Sequence, residues 1–196
     1  IQHTFVGWNT EKAALAEPKV RQALAWAIDQ EELIEELLGG YGKKVDRLFH
    51  PSSPYGEKTV EPIGFDLKKA EKLLKEAGFD SVRYGSRYNG KTPLSFKLSI
   101  IQGDEFQRDL GRALQRQWRK IDVPVQLHVS PYGEAANVRA GNEDFEAILV
   151  TSPLNHYLDQ YSSWHSTETG PGKGNFTRLQ DESLDDTEPT NLTSPF

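Results

Sequence analysis

Apolar residues recur at spacings of three and four in three stretches of the chain, and each stretch predicts a helix with one buried face. The first runs from Pro18, placed in an opening turn, through Val20, Leu24, Ala27, Ile28, Ile34, Leu37 and Leu38 to a stop at Gly39-Gly40. The second carries Leu67, Ala70, Leu74 and Ala77 behind a capping Asp66. It stops at Gly78, with Phe79 placed to pack back on the last turn. The third covers 104–120 and places Phe106, Leu110, Ala113, Leu114 and Trp118 on one face, followed by Ile121. Strands are predicted at 1–9 (IQHTFVGWN), at 94–101 (LSFKLSII), after Pro124 (PVQLHV) and at 145–150 (FEAILV). Short helices fit 132–140 and 156–164, and the turn-rich stretches 41–65 and 80–93 are read as loops.

From 94 to 150 the order is strand, helix, strand, helix, strand. Right-handed crossovers then give an α/β fold with a mixed, mostly parallel sheet and helices on both faces. The nearly continuous apolar run of FEAILV suits a central strand. The tail from Asp181 is polar and aperiodic, so the expected organisation is one domain over 1–180 and a partly disordered tail over 181–196.

Composition narrows the function. With 36% hydrophobic and 27% charged residues in 196, the chain is expected to form one globular domain. A net charge of −6 argues against nucleic acid as a partner, because phosphate neutralisation needs a basic face. No apolar run is long enough to span a bilayer, so no membrane insertion is expected of this segment. There is no cysteine, hence no disulfide, zinc-thiolate site or thiol nucleophile. There is no methionine either, and the chain is read as an excised piece whose secretion signal lies upstream of Ile1.

Chemistry-bearing motifs are sparse. The five histidines form no helical pair with metal-ligand spacing and are read as ordinary residues, with neither metal nor cofactor expected. Gly170-Pro171-Gly172-Lys173-Gly174 lacks the following Ser or Thr of a phosphate loop and has a proline where an amide donor is needed, so it is a turn. The arginines at 108, 112, 116 and 119 form a stripe opposite the apolar face of the third helix, read as a solvated face. The segment 151–165, TSPLNHYLDQYSSWH, is more informative. It follows the carboxyl end of the predicted central strand, where open α/β sheets place ligands, and mixes Thr151, Ser152, Asn155 and His156 with Tyr157, Tyr161 and Trp164. It can be a small-molecule site, or Asn155 can simply cap the next helix.

Several segments taken in order resemble the family 5 extracellular solute-binding proteins, the oligopeptide-, dipeptide- and nickel-binding receptors of ABC importers. They are Asn9-Thr10, Val20 to Leu24, Ala27-Ile28-Asp29, Gly39-Gly40, GFDLKKAEKLLKEAGF (64–79), LQRQWRKIDVPVQL (114–127), FEAILV and Gly174-Asn175-Phe176. The resemblance covers roughly residues 5–180 and implies the C-terminal lobe of a periplasmic-binding-protein-like receptor. It implies no enzyme, but a substrate-binding component that captures a small-molecule or peptide solute between two lobes and delivers it to an ABC permease. The place would be periplasmic or extracellular, with a lipid anchor carried by an N-terminal region outside this segment. Ligand-facing positions carry over to Ser152, Asn155 and His156, and more loosely to Tyr132 and Arg139. Thr151-Ser152 stands where the family has Gly-Trp. Asn155 stands where peptide-binding members have an acid that pairs with the peptide amino group, and an amide supplies no counter-charge. A neutral ligand such as a sugar fits as well as a peptide.

Two other functional classes are open to such a sequence. A sensor or interaction module can reuse the same fold without transport. A hydrolase would need a carboxylate such as Asp159 working with His156 or His165, but no paired acids at a fixed motif support one.

Overall fold

The computed structural model describes residues 2–44, 63–142, 144–153 and 161–185. In chain order it comprises β1 (Gln2–Trp8), α1 (Ala13–Ala16), α2 (Pro18–Trp26), α3 (Gln30–Leu38), α4 (Leu67–Glu76), β2 (Ser81–Arg83), β3 (Ser86–Asn89), β4 (Thr92–Pro93), β5 (Phe96–Ile101), α5 (Glu105–Arg119), β6 (Val125–Ser130), α6 (Tyr132–Arg139), β7 (Ala147–Pro153), α7 (Tyr161–Trp164), a single 3-10 turn (Ser166–Glu168) and α8 (Glu182–Asp185).

The main sheet has the order β1-β7-β5-β6. β5 pairs in parallel with both β6 and β7, and β1 runs antiparallel to β7. FEAILV therefore enters the central strand, as its apolar run predicts. The chain leaves β5 for β6 through α5, then steps back across β5 to β7 through α6. Two crossovers of the same hand that travel in opposite directions must lie on opposite faces, and this puts helices on both sides of the sheet.

Alternation along the strands divides the core accordingly. Ala147 and Leu149 join Val6, Trp8, Leu98 and Ile100 under α2, α4 and α5, while Ile148 and Val150 join Phe5, Ile101 and Phe176 under α6. At the centre of the larger cluster the indole of Trp118 is fully buried. It lies 5.4 Å from the ring of Phe96 and 5.8 Å from that of Trp8, and its Nε1 donates to the Leu24 carbonyl at 2.9 Å.

Several local elements differ from the expectation. The predicted helix over 18–38 is two helices, broken at Asp29. Gln117, itself buried, reaches from α5 to the backbone there: its Oε1 accepts from Asp29 N at 2.9 Å and its Nε2 donates to Asp29 O at 3.3 Å. The Asp29 side chain then caps α3 by accepting from the amides of Glu31 and Glu32. Residues 80–93 are not a loop but contain the antiparallel sheet β2-β3-β4. It is tied to the end of α5 by the buried Arg87, whose Nε donates to Ile121 O at 2.8 Å. Phe106 is exposed rather than on the buried face of α5. The arginine stripe is a solvated face as expected, and Arg116 on it donates to both carboxylate oxygens of Glu36 at 2.6 and 2.7 Å. Of the predicted loop at 41–65, only 41–44 and 63–65 lie within the described residues, and of the predicted helix at 156–164 only Tyr161–Trp164. In the tail, Glu182–Asp185 forms one helical turn.

Candidate functional site

The carboxyl end of β7 runs beside the start of β1. Their register pairs His3 with Ser152, Thr4 with Thr151 and Phe5 with Val150. Because the pleat alternates, His3, Phe5, Val150 and Ser152 share the α6 face, while Thr4 and Thr151 turn to the other.

Two segments close over the α6 face. The stretch after Gly174 crosses β1, where Gly7 makes room: a Cβ there would stand 2.6 Å from a ring carbon of Phe176. Gly174 itself packs against the Ser162 carbonyl so closely that no side chain fits. Asn175, completely buried, staples this crossing to α7. Its side-chain nitrogen donates to the carbonyls of Trp164, His165 and Leu179 at 3.1, 3.2 and 2.8 Å, and its Oδ1 accepts from the Thr177 hydroxyl at 2.9 Å. The following turn is anchored by Asp185, whose Oδ1 accepts from Ser166 N at 2.9 Å. The hydrogen bonds from Ser166, with His165 beside it, hold the Asp185 carboxyl below the usual carboxylate range.

Between these segments and the sheet lies a cavity of about 180 Å³. Phe5, Val150 and Phe176 supply its apolar wall. His3, Arg139, Ser152, Ser163, Trp164 and Thr177 supply its polar groups. Within two of these residues, His3 Nδ1 and Trp164 Nε1 are closed to water and have no hydrogen-bond partner among the described residues. An indole N–H is a donor only, and leaving such a group unpaired on burial costs about 1–3 kcal/mol. Among the described residues no carboxylate lines the cavity, and Arg139 brings a positive charge.

Burial pushes the His3 pKa down from 6.5, partly opposed by the carbonyl of Ser152. The folded state thus favours the neutral ring. Its contribution to stability is present above the unfolded value of 6.5 and is lost as pH falls through the lower folded value. Urea midpoints measured at successive pH values below 7 should therefore fall less steeply in His3→Gln than in the parent chain; parallel slopes would show that His3 does not titrate between the two states.

The predicted site residues are distributed as follows. Ser152 and Arg139 line the cavity. Thr151, one residue from Ser152, faces away, and its hydroxyl pairs with that of Thr4 at 3.0 Å. Tyr132 is 75% exposed at the end of β6 and does not line the cavity. With β5 between them, β6 lies two strand spacings, roughly 10 Å, from β7. Asn155 and His156 lie outside the described residues. The sequence reading missed His3, Phe5 and Phe176, and noted Trp164 without assigning it to the site. Among the described residues, no group of three or more His, Asp or Glu could hold a metal ion, and no helix is long and apolar enough to cross a membrane.

Open α/β sheets place ligands at the carboxyl ends of their strands, and the cavity beside β7 stands at that position. Residues 1–175 match the model of the bacterial extracellular solute-binding proteins, family 5 Middle, and the chain belongs to that family. It is 28% identical over 179 residues to the oligopeptide-binding protein AppA of Bacillus subtilis, a match covering 88% of this chain and 32% of that protein. It is 35% identical over 185 residues to heme-binding protein A of Haemophilus influenzae, covering 92% of this chain and 32% of the relative. The solved structure of Bacillus subtilis AppA in complex with a nonapeptide superposes with a TM-score of 0.87 at 26% identity, over 94% of this chain and 37% of that one. The chain thus spans about a third of the length of the curated relatives it matches.

Proposed function

We propose that this chain is one lobe, the C-terminal one, of the substrate-binding component of an ABC import system. Working outside the cytoplasm, the complete protein captures a small solute between two lobes and presents it to its permease. The observation that carries the reading is the cavity at the carboxyl end of β7, formed within a family whose members are named for the solutes they bind. Its Ser152 and Arg139 side chains are suited to fixing a ligand's orientation, and its aromatic wall to contact area. The ligand-facing set proposed for this lobe is Ser152, Arg139, His3 and Trp164, with Asn155 and His156 added from the family resemblance alone. The named ligands of the relatives, an oligopeptide and a heme, differ widely, so membership alone does not choose the solute.

The test is a thermal-shift screen of the complete two-lobed protein against peptides, sugars, metal chelates and porphyrins, followed by calorimetry on the hit. One lobe offers half the contacts and none of the closure that excludes water. The expected result is micromolar or tighter binding by the two-lobed protein and roughly millimolar binding, or weaker, by this chain alone. Equal affinities would remove the two-lobed capture model. Catalytic turnover of a screened compound would remove the receptor reading itself.

A further inference from the structure

We infer that the outer edge of β6, overhung by arginines of α5, takes an extended acidic polypeptide segment of a partner as an added strand. This edge lies two strands from β7 and is separate from the solute cavity.

β6 ends the sheet order β1-β7-β5-β6, so its far side meets no strand of this sheet. In a parallel ladder, alternate residues turn their backbone groups toward the same neighbour. Ser130 O accepts from Gln102 N at 2.8 Å, which turns Ser130, and with it His128 and Gln126, toward β5. Val125, Leu127 and Val129 therefore turn outward. Gln115 agrees with this direction, since its Nε2 donates to Val125 O at 2.7 Å. The outer amides and carbonyls of Leu127 and Val129 have no such partner among the described residues. The edge is open: Val129 is 56% exposed, and Gln126 and His128 are exposed beside it. Open edges of this kind bind extended chains by continuing the ladder.

Gln115 also fixes what stands above the edge. Helical residues three, four and seven apart share a side, so Arg108, Arg112 and Arg119 lie with Gln115 over the outside of β6. They span about 16 Å of helix, against about 13 Å of strand from Val125 to Val129. Arg108 is held by Asp109 at 3.1 Å and by Glu105 at 3.8 Å. Arg112 is 61% exposed and reaches Asp109 only at 3.8 Å, while Arg119 is exposed and forms no ion pair among the described residues. On the other face of the strand His128 meets Glu134 at 3.0 Å, so the spare positive charge is on the α5 side, at Arg112 and Arg119. Charges beside an edge discourage pairing between like chains. Two copies joined edge to edge by a two-fold axis normal to the sheet would set the same arginines against each other, which selects against a second copy of this chain. A strand carrying acids reverses the sign. Because side chains alternate, acids at every second position would all face α5.

Blocked hexapeptides test this in the complete two-lobed protein. One alternates threonine with glutamate, the second replaces glutamate by glutamine, and the third is the glutamate peptide N-methylated at every residue. Both ends are capped, so no terminal charge takes part. Backbone amides are followed by nitrogen-15 NMR and by hydrogen exchange. At low ionic strength the glutamate peptide should shift the Leu127 and Val129 amides and slow their exchange. It should bind about fivefold more tightly than the glutamine peptide, the factor that one or two exposed ion pairs give. Arg112→Gln combined with Arg119→Gln changes two exposed side chains and should remove that preference while leaving the far-ultraviolet circular dichroism unaltered. The N-methylated peptide should not bind, since it has no amide donors for the outer carbonyls. Equal binding of the glutamate and glutamine peptides, binding of the N-methylated one, or shifts confined to the cavity around Ser152 would overturn the inference. So would protection of Leu127 and Val129 before any peptide is added. Protection that grows with protein concentration would assign the edge to a second copy, and protection at every concentration to the rest of the protein. Anionic vesicles that shift the arginine signals, with no response to any peptide, would assign the stripe to a lipid surface instead.

Discussion

Trp118→Ala is expected to destabilise the chain by about 3–5 kcal/mol, the range for deleting a large aromatic side chain from a close-packed core. The indole is completely buried, touches Trp8 and Phe96, and closes the gap between α2, α5 and the sheet. Its loss also leaves the Leu24 carbonyl without the donor it has at 2.9 Å, which adds an unpaired buried acceptor to the cavity term. Since a domain of this size has only about 5–15 kcal/mol of stability in total, the variant should be close to unfolded at room temperature. Trp118→Phe keeps the edge contacts and loses the hydrogen bond, so it should fall between the two. Urea unfolding followed by circular dichroism measures both. A midpoint for Trp118→Ala within error of the parent would contradict the packing described.

Asn175→Ala should cost about 3 kcal/mol, because it strips one buried amide from four partners at once and each unpaired group is worth roughly 1–3 kcal/mol. Asn175→Asp separates hydrogen bonding from size. It is nearly isosteric, but it sets a carboxylate oxygen against the carbonyls of Trp164, His165 and Leu179, where the amide nitrogen donates. One donor, the Thr177 hydroxyl, cannot offset three opposed carbonyls, so the aspartate should do no better than the alanine. Both variants release the end of α7 that carries Trp164, so solute affinity should fall along with stability. If Asn175→Asp matches the parent in a thermal melt, the amide is not the staple described here.

The parts of the fold legible in the sequence are those written in local periodicity. The stripe through Leu114 and Trp118 repeats at the helical spacing, Asp66 and Gly78 mark the ends of α4, and the continuous FEAILV run marks the central strand. The break at Asp29 was not legible, because the apolar phase continues smoothly across it. What ends α2 is Gln117, a partner 88 residues away in sequence. The β2-β3-β4 sheet escaped because its strands have only two to four residues. Its signal was present in the Asn89-Gly90 dipeptide, a turn former. The site divides in the same way. Ser152 follows from its place past a buried strand, and simple alternation would have separated it from Thr151. His3 and Trp164 come to the same cavity only through the β1–β7 pairing and the Asn175 staple, neither of which leaves a local pattern.

The claim that the solute is held on the α6 face at the carboxyl end of β7 is tested most directly by two neighbouring substitutions. In the complete two-lobed protein, Ser152→Ile puts a branched side chain into the cavity while keeping strand propensity, and Thr151→Val alters the opposite face. Calorimetric titration with the solute found in the screen should give at least about a tenfold loss of affinity for Ser152→Ile and less than about a twofold change for Thr151→Val. Unaltered affinity in Ser152→Ile, or a larger loss in Thr151→Val, would place the solute elsewhere and contradict the account.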